Sequence, residues 1–149
     1  MLFKVIITIL AVVVTVFLLI FLFPIVKVEG DSMFPTFREG RILWCRRLFF
    51  FNKDKCKKGK IYVIHLKDEE DGSPYFIVKR LKHIYPYKGK YAKHTLYDFR
   101  GDNIEVSYDS RQHGWFDSSE VVAKVIGNFP NKYESYQKGE NNESKKKGN

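Results

Sequence analysis

The sequence is poor in the residues that staple or metallate a small protein. It holds 2 cysteines and 4 histidines in 149 residues. Cys45 and Cys56 are too few for a disulfide scaffold. Neither they nor His65, His83 and His94 have the paired spacing of a metal site, so no cofactor or metal is expected. Acidic residues are also scarce, with 17 Asp+Glu against 26 Lys+Arg and a formal net charge of +9. A second long apolar run is missing, which excludes a multi-span transporter. No internal repeat is visible, and no apolar stripe of helical period extends beyond the N-terminal run. The length is that of about one domain.

What is present divides sharply. Val5 to Val26 reads VIITILAVVVTVFLLIFLFPIV and carries no charge, and of all the charged side chains only Lys4 lies before it. As a helix this run rises about 33 Å, enough for a hydrocarbon core of about 30 Å. Its many β-branched residues would suit a strand in water. In lipid every backbone group must be bonded within the segment, and helix wins. A cleaved signal peptide is the competing reading, but its apolar region runs to about 7–15 residues and ends in a small-x-small site. Phe23-Pro24-Ile25-Val26-Lys27-Val28 offers no such site. The expected organisation is a short flank at 1–4, a transmembrane anchor at 5–26, one basic domain at 27–130 and a disordered polar tail at 131–149. Flanking charge does not settle which side of the membrane the domain occupies, because long domains translocate largely regardless of charge.

Short apolar runs follow the anchor: Arg41–Leu43 with Trp44, Ile61–Leu66, Phe76–Leu81, Lys90–Tyr97, Ile104–Tyr108 and Val121–Ile126. They are rich in Val, Ile, Tyr and Phe and are punctuated by Gly40, Gly59, Gly72, Gly89 and Gly101. That pattern predicts a small, mainly β domain. The stretch from Trp44 to Phe51 mixes aromatics with Arg46 and Arg47 ahead of a lysine-rich turn. It reads either as core aromatics with solvated bases or as a hairpin tip resting on an anionic bilayer. Aromatics among bases also suit single-stranded nucleic acid. The adjacent anchor argues against that, and no nucleic-acid partner is expected. A Cys45–Cys56 bridge across this hairpin stays open, since sequence does not supply its geometry.

Three islands carry the chemistry: Gly30-Asp31-Ser32-Met33-Phe34-Pro35-Thr36, Ile77-Val78-Lys79-Arg80-Leu81, and Gly101-Asp102-Asn103-Ile104-Glu105-Val106-Ser107-Tyr108-Asp109-Ser110-Arg111. On a strand, Lys79 shares a face with Ile77 and Leu81, while Arg80 points the other way. A lysine between apolar neighbours either snorkels or is desolvated. An unperturbed lysine, with a pKa of about 10.4, is neutral only about four times in ten thousand at pH 7. Burial that lowers the pKa by about 2–3 units makes it a usable base for a hydroxyl. Ser–Lys is one variant of the nucleophile–base pair, although spacing alone does not bring Ser32 to Lys79. Histidine-based serine catalysis fits less well. Met33-Phe34-Pro35 follows Gly30-Asp31-Ser32 where a trypsin-like motif continues with glycines, and Asp109 to His113 is one residue too long for the Asp-x-x-His of Gly-Asp-Ser-Leu esterases.

In their order, the anchor and the three islands closely resemble the type I signal peptidases, membrane-bound Ser–Lys endopeptidases that include bacterial leader peptidases and the mitochondrial inner-membrane protease. The resemblance rests on Ser-Met-x-Pro-Thr at 32–36, Lys-Arg at 79–80 and the Gly-Asp-Asn…Ser-x-Asp-Ser-Arg island at 101–111, and it covers most of residues 5–127. It implies a compact antiparallel β catalytic domain behind one transmembrane helix, with Ser32 as nucleophile and Lys79 as general base. By the same resemblance Ser107 orients the lysine amine, Arg80 and Asp102 form an ion pair joining two islands, Asp109 and Arg111 support the site, and Met33 lines the substrate pocket. The implied partners are preproteins bearing signal peptides, the lipid bilayer and the translocation machinery. The implied location is the trans side of a bacterial cell membrane, with the mitochondrial inner membrane as the alternative.

The chain departs from the family at several points. Gly30 stands where some relatives carry a hydroxyl that assists the oxyanion. Leu81 to Pro86 replaces a common Pro-Gly-Asp turn. Residues 81–101 alone separate the second and third islands, so the extra β domain of larger relatives is expected to be absent. Three rival readings stand beside this one: a specialised processing peptidase of the same clan, a soluble repressor-type self-cleaver, and an inactive tethered module that holds precursors.

Overall fold

The computed structural model describes residues 1–49, 55–68, 70–86 and 95–129. The expected polar tail from residue 131, the start of the Lys90–Tyr97 run with His94, and Phe50-Phe51 of the aromatic stretch lie outside them.

The N-terminal helix spans Leu2–Leu22, and none of its residues is buried against the rest of the protein. Such a surface is unfavourable in water and suits hydrocarbon. By length and composition it is able to cross a membrane. Its two hydroxyls are satisfied internally, Thr8 Oγ1 donating to Lys4 O and Thr15 Oγ1 to Ala11 O at 2.9 and 2.8 Å. Pro24, which has no N–H and whose ring clashes with the preceding turn, stops the helix. The apolar run read as anchor to Val26 therefore divides: its last residues enter β1 (Ile25–Lys27), the first strand of the sheet. Arg47 Nε donates to the open Phe21 carbonyl at 3.1 Å, and its guanidinium lies 4.5 Å from the Phe21 ring centre.

Beyond the helix the described residues form one antiparallel sheet of seven strands, a mainly β architecture as the turn-punctuated apolar runs predict. The remaining strands are β2 (Ile42–Arg47), β3 (Ile61–Lys67), β4 (Pro74–Pro86), β5 (Thr95–Arg100), β6 (Phe116–Asp117) and β7 (Val121–Asn128), in the spatial order β1-β2-β7-β3-β4-β5-β6. Both faces of the central strand β3 are covered, which explains an apolar run that only His65 interrupts. Tyr62, Ile64 and Leu66 pack with Leu81, Tyr97 and Phe99 in one cluster. Ile61 and Val63 pack with Val28, Met33, Phe37 and Leu43 in the other. Cys45 belongs to the second cluster and Cys56 to the first, and no disulfide joins them. The bridge left open by the sequence is not made, and burial pushes the Cys45 thiol up to about 11.

One expected strand is absent. Ile104–Tyr108 alternates like a strand, yet it forms a turn in which Ile104, Val106 and Tyr108 are 71, 60 and 63% exposed. Ser107 N bonds back to Asn103 O at 3.2 Å, and Glu105 N bonds to Asn103 Oδ1. The chain folds upon itself there instead of joining the sheet.

Candidate active site

The fold brings parts of all three islands together. In the β3–β4 register Lys79 lies opposite Tyr62, and Arg80 lies opposite Ile61. Partners across a ladder share a face, so the two basic side chains leave β4 in opposite directions, Lys79 toward Ser107 and Arg80 toward Asp102.

Lys79 is 3% exposed. Its Nζ donates to Ser107 Oγ at 3.0 Å. Ser107 Oγ in turn donates to Asp109 Oδ2 at 2.7 Å. With its only proton committed to the carboxylate, Ser107 meets the lysine purely as an acceptor. A neutral Lys79 amine thus spends an N–H on Ser107 and keeps its lone pair for another partner. Burial drives the Lys79 pKa below the ordinary lysine range, Asp109 draws it partly back, and Arg111 opposes the charge again.

Asp109 is fully buried and multiply bonded. Oδ2 also accepts from the Gly101 N–H at 2.8 Å and from an Arg111 guanidinium nitrogen at 2.6 Å, while Oδ1 accepts from Arg111 Nε at 2.8 Å. Its carboxylate additionally caps the one-turn helix Ser110–His113. Burial alone would raise its pKa, but the bonds from Arg111, Ser107 and Gly101 hold it well below the usual carboxylate range. It stays ionised, and a steady acceptor for Ser107.

Arg80 forms a two-point pair with Asp102, Nε to Oδ1 at 2.7 Å and a terminal nitrogen to Oδ2 at 2.6 Å. Thr36 closes this pair into a triangle. Its hydroxyl donates to Asp102 Oδ2 at 2.6 Å and accepts from Arg80 at 3.2 Å. The loop that carries Ser32 is thereby tied to the other two islands. Thr36 carries no assigned role in the sequence reading; its place inside Ser-Met-x-Pro-Thr is the only signal that could have singled it out.

Ser32 sits half-buried in the turn after Gly30, whose φ of +70° strains any residue with a side chain. Met33, directly after it, is buried in the second cluster and fixes the turn against the sheet. Ser32 O accepts from the Asn103 N–H at 3.0 Å. Gly101 is the residue that permits this approach: a Cβ there would collide with Ser107 Oγ and lie 2.5 Å from both Ser107 Cβ and Ser32 O. Ser32, Met33 and Lys79 line one cleft of about 370 Å³, together with Val26–Glu29 and Tyr75–Val78. Among the described residues the Ser32 hydroxyl has no hydrogen-bond partner, and no cluster of metal-ligating side chains occurs.

A hydroxyl and a buried, desolvated amine facing one cleft constitute the working parts of serine–lysine acyl transfer. Residues 23–92 match the Peptidase S24-like family. The matched segment contains Ser32 and Lys79 and ends before the island that carries Ser107. It supports a serine peptidase of the Ser–Lys type on a mainly β domain. No curated protein matches the chain.

Proposed function

We propose that this protein is a membrane-tethered signal peptidase, in which Ser32 is the nucleophile and Lys79 the general base for removing signal peptides from translocated preproteins. The observation that carries the reading is Lys79. It is buried and held by a serine whose own proton is given away to Asp109, and it opens on the same cleft as Ser32.

On this reading neutral Lys79 takes the Ser32 proton as Oγ attacks the scissile carbonyl carbon. The ammonium so formed protonates the leaving amine, and water activated by the same lysine releases the acyl group. Ser107 and Asp109 keep the amine aimed, and Arg111 keeps Asp109 ionised. Met33 shapes the floor of the cleft. The Ser32 N–H is the oxyanion donor available at the site, since Gly30 supplies no hydroxyl.

The substrate backbone has two strand edges to pair with. β1 bonds only to β2, and residues 74–79 of β4 bond only to β3 among the described residues. Both edges border the cleft. An extended peptide laid along them exchanges backbone hydrogen bonds and drops alternate side chains into the cleft. The apolar helix ends at Leu22, and the chain passes through β1 before reaching Ser32, which keeps the site within reach of chains that emerge from a bilayer. Preproteins, the bilayer and the translocation machinery are the partners this implies, on the trans side of a bacterial cell membrane or the mitochondrial inner membrane.

The test is cleavage of a preprotein panel by the full chain in liposomes. Cuts after small-x-small sites, lost in Ser32→Ala and Lys79→Ala, are expected. Cleavage that survives both changes overturns the assignment. The S24-like match also favours a second reading, self-cleavage, which predicts an intact mass that falls with time in the absence of substrate.

A further inference from the structure

Beside the cleft that holds Ser32 and Lys79 lies a larger cavity of about 550 Å³, to which the proposed reaction assigns nothing. Its walls include Pro24, Val26, Val63, Phe76 and Val122. Arg47 and His65 are its polar members. Val26 and Phe76 line both cavities, so the two are neighbouring compartments of one trough. Phe76 stands at the partition. It lies opposite His65 in the ladder, with ring centres 5.1 Å apart, and it is 61% exposed. Val122 reaches the cavity because β7 bulges there: Ala123 pairs with Val63 and Val121 with Ile64, leaving Val122 extra.

We infer that this second compartment is a specificity pocket for a large apolar side chain of the substrate, upstream of the scissile bond. The inference rests on the peptidase reading and adds to it a substrate class: chains whose scissile segment is preceded by an apolar residue. Three observations choose that occupant. The compartment shares its wall with the candidate active cleft. It begins at Pro24, where the apolar helix gives way to the sheet, so a substrate entering from a bilayer passes it first. The open edges of β1 and β4 run beside both compartments and would carry one extended chain through them. The two compartments adjoin along β1 and β4. A substrate strand rising about 3.3 Å per residue therefore reaches the pocket a few residues upstream of the bond cut, and positions about four to six residues upstream are the ones to vary.

The test uses the full chain in detergent micelles and two peptides with the same small-x-small site. One carries leucine or phenylalanine four to six residues upstream, and the other carries serine or glutamine there. Sinking one such side chain is expected to raise kcat/KM about tenfold. Val122→Trp, which fills the compartment, should bring the ratio of the two peptides close to one. Phe76→Ala, made at an exposed position that folding tolerates, should also shrink the ratio by removing the shared wall. Equal cleavage of both peptides by the wild type overturns the pocket and leaves the peptidase standing. A tenfold preference unchanged in both variants overturns it too, since the preference then reflects partition into micelles. Binding of the same peptides to Ser32→Ala, read by fluorescence anisotropy, separates the two claims. A preference in binding without turnover by the wild type supports the pocket and refutes the peptidase.

Discussion

Gly101→Ala puts the packing of the site to a sharp test, because the change is one methyl group. The new Cβ would lie 2.5 Å from Ser32 O and from Ser107 Cβ, where ordinary contact begins at 3.4 Å, and it would also strike Ser107 Oγ. The neighbours include main chain of the Ser32 loop, so no flexible side-chain tip is free to absorb the whole displacement. The Ser32 and Ser107 segments must part by roughly an ångström, and a misplacement of that size costs about 10²-fold in rate. Overpacking of this kind destabilises by about 1–3 kcal/mol. At about 4–8 °C per kcal/mol for a small domain, Tm should fall by several degrees while the fold survives. The assay pairs kcat on a single peptide with thermal unfolding of the same preparation. Wild-type kcat together with wild-type Tm would refute the close approach of Gly101, Ser32 and Ser107. A lowered Tm with full activity would show that Ser107 need not hold Lys79.

Further outcomes follow from the charges. Activity should climb as pH rises through the lowered Lys79 pKa and should already be present below the ordinary lysine range; a profile rising only near 10.5 would contradict a desolvated base. The same shift works against stability. Below the unfolded pKa the unfolded chain binds the proton that folding discourages, so wild-type stability rises with pH from the lowered folded value up to 10.5. Lys79→Met should accordingly raise Tm at neutral pH and lose that advantage toward pH 10.5, and an equal or lower Tm at pH 7 would count against the burial cost. Asp109→Asn strands Arg111 and frees the Ser107 proton. A loss of about 3 kcal/mol or more is expected from breaking such a buried pair, with kcat falling along with it, and urea unfolding reads the loss. Asp109 supports the wild-type fold above the ordinary carboxylate range, and that support fades as pH falls below about 3.8 toward its depressed folded value. Thr36→Val removes two hydrogen bonds and should cost about 1 kcal/mol. Thr36→Ser should restore most of it, and a valine variant as stable as wild type would mean the triangle with Arg80 and Asp102 is idle.

The β architecture was readable because local sequence carries it. Ile61–Ile64 is apolar and rich in β-branched residues, and it proved to lie in the strand covered on both faces. The alternation Ile77–Lys79–Leu81 also placed Arg80 on the opposite side, where Asp102 meets it. Ile104–Tyr108 misled because exposed apolar residues alternate there without a neighbouring strand, and the turn is dictated by Asn103, whose carbonyl and side chain take up the local N–H groups. The start of β1, Ile25 and Val26, was hidden inside an apolar run that continues the helix in composition, and Pro24 is the one residue that marks the change. The candidate site was legible as residue types but not as an assembly. The chain from Lys79 through Ser107 to Asp109 depends on long-range pairing, and Thr36 and Gly101 acquire their parts only through neighbours far along the sequence.

The most direct measurement is acid-quench mass spectrometry of the full chain mixed with a peptide ester. An acyl group on the peptide containing Ser32 is expected in the wild type within one turnover, and none in Lys79→Ala at the same pH. An adduct on a different residue, or an undiminished Ser32 adduct without Lys79, would contradict serine attack driven by the buried lysine.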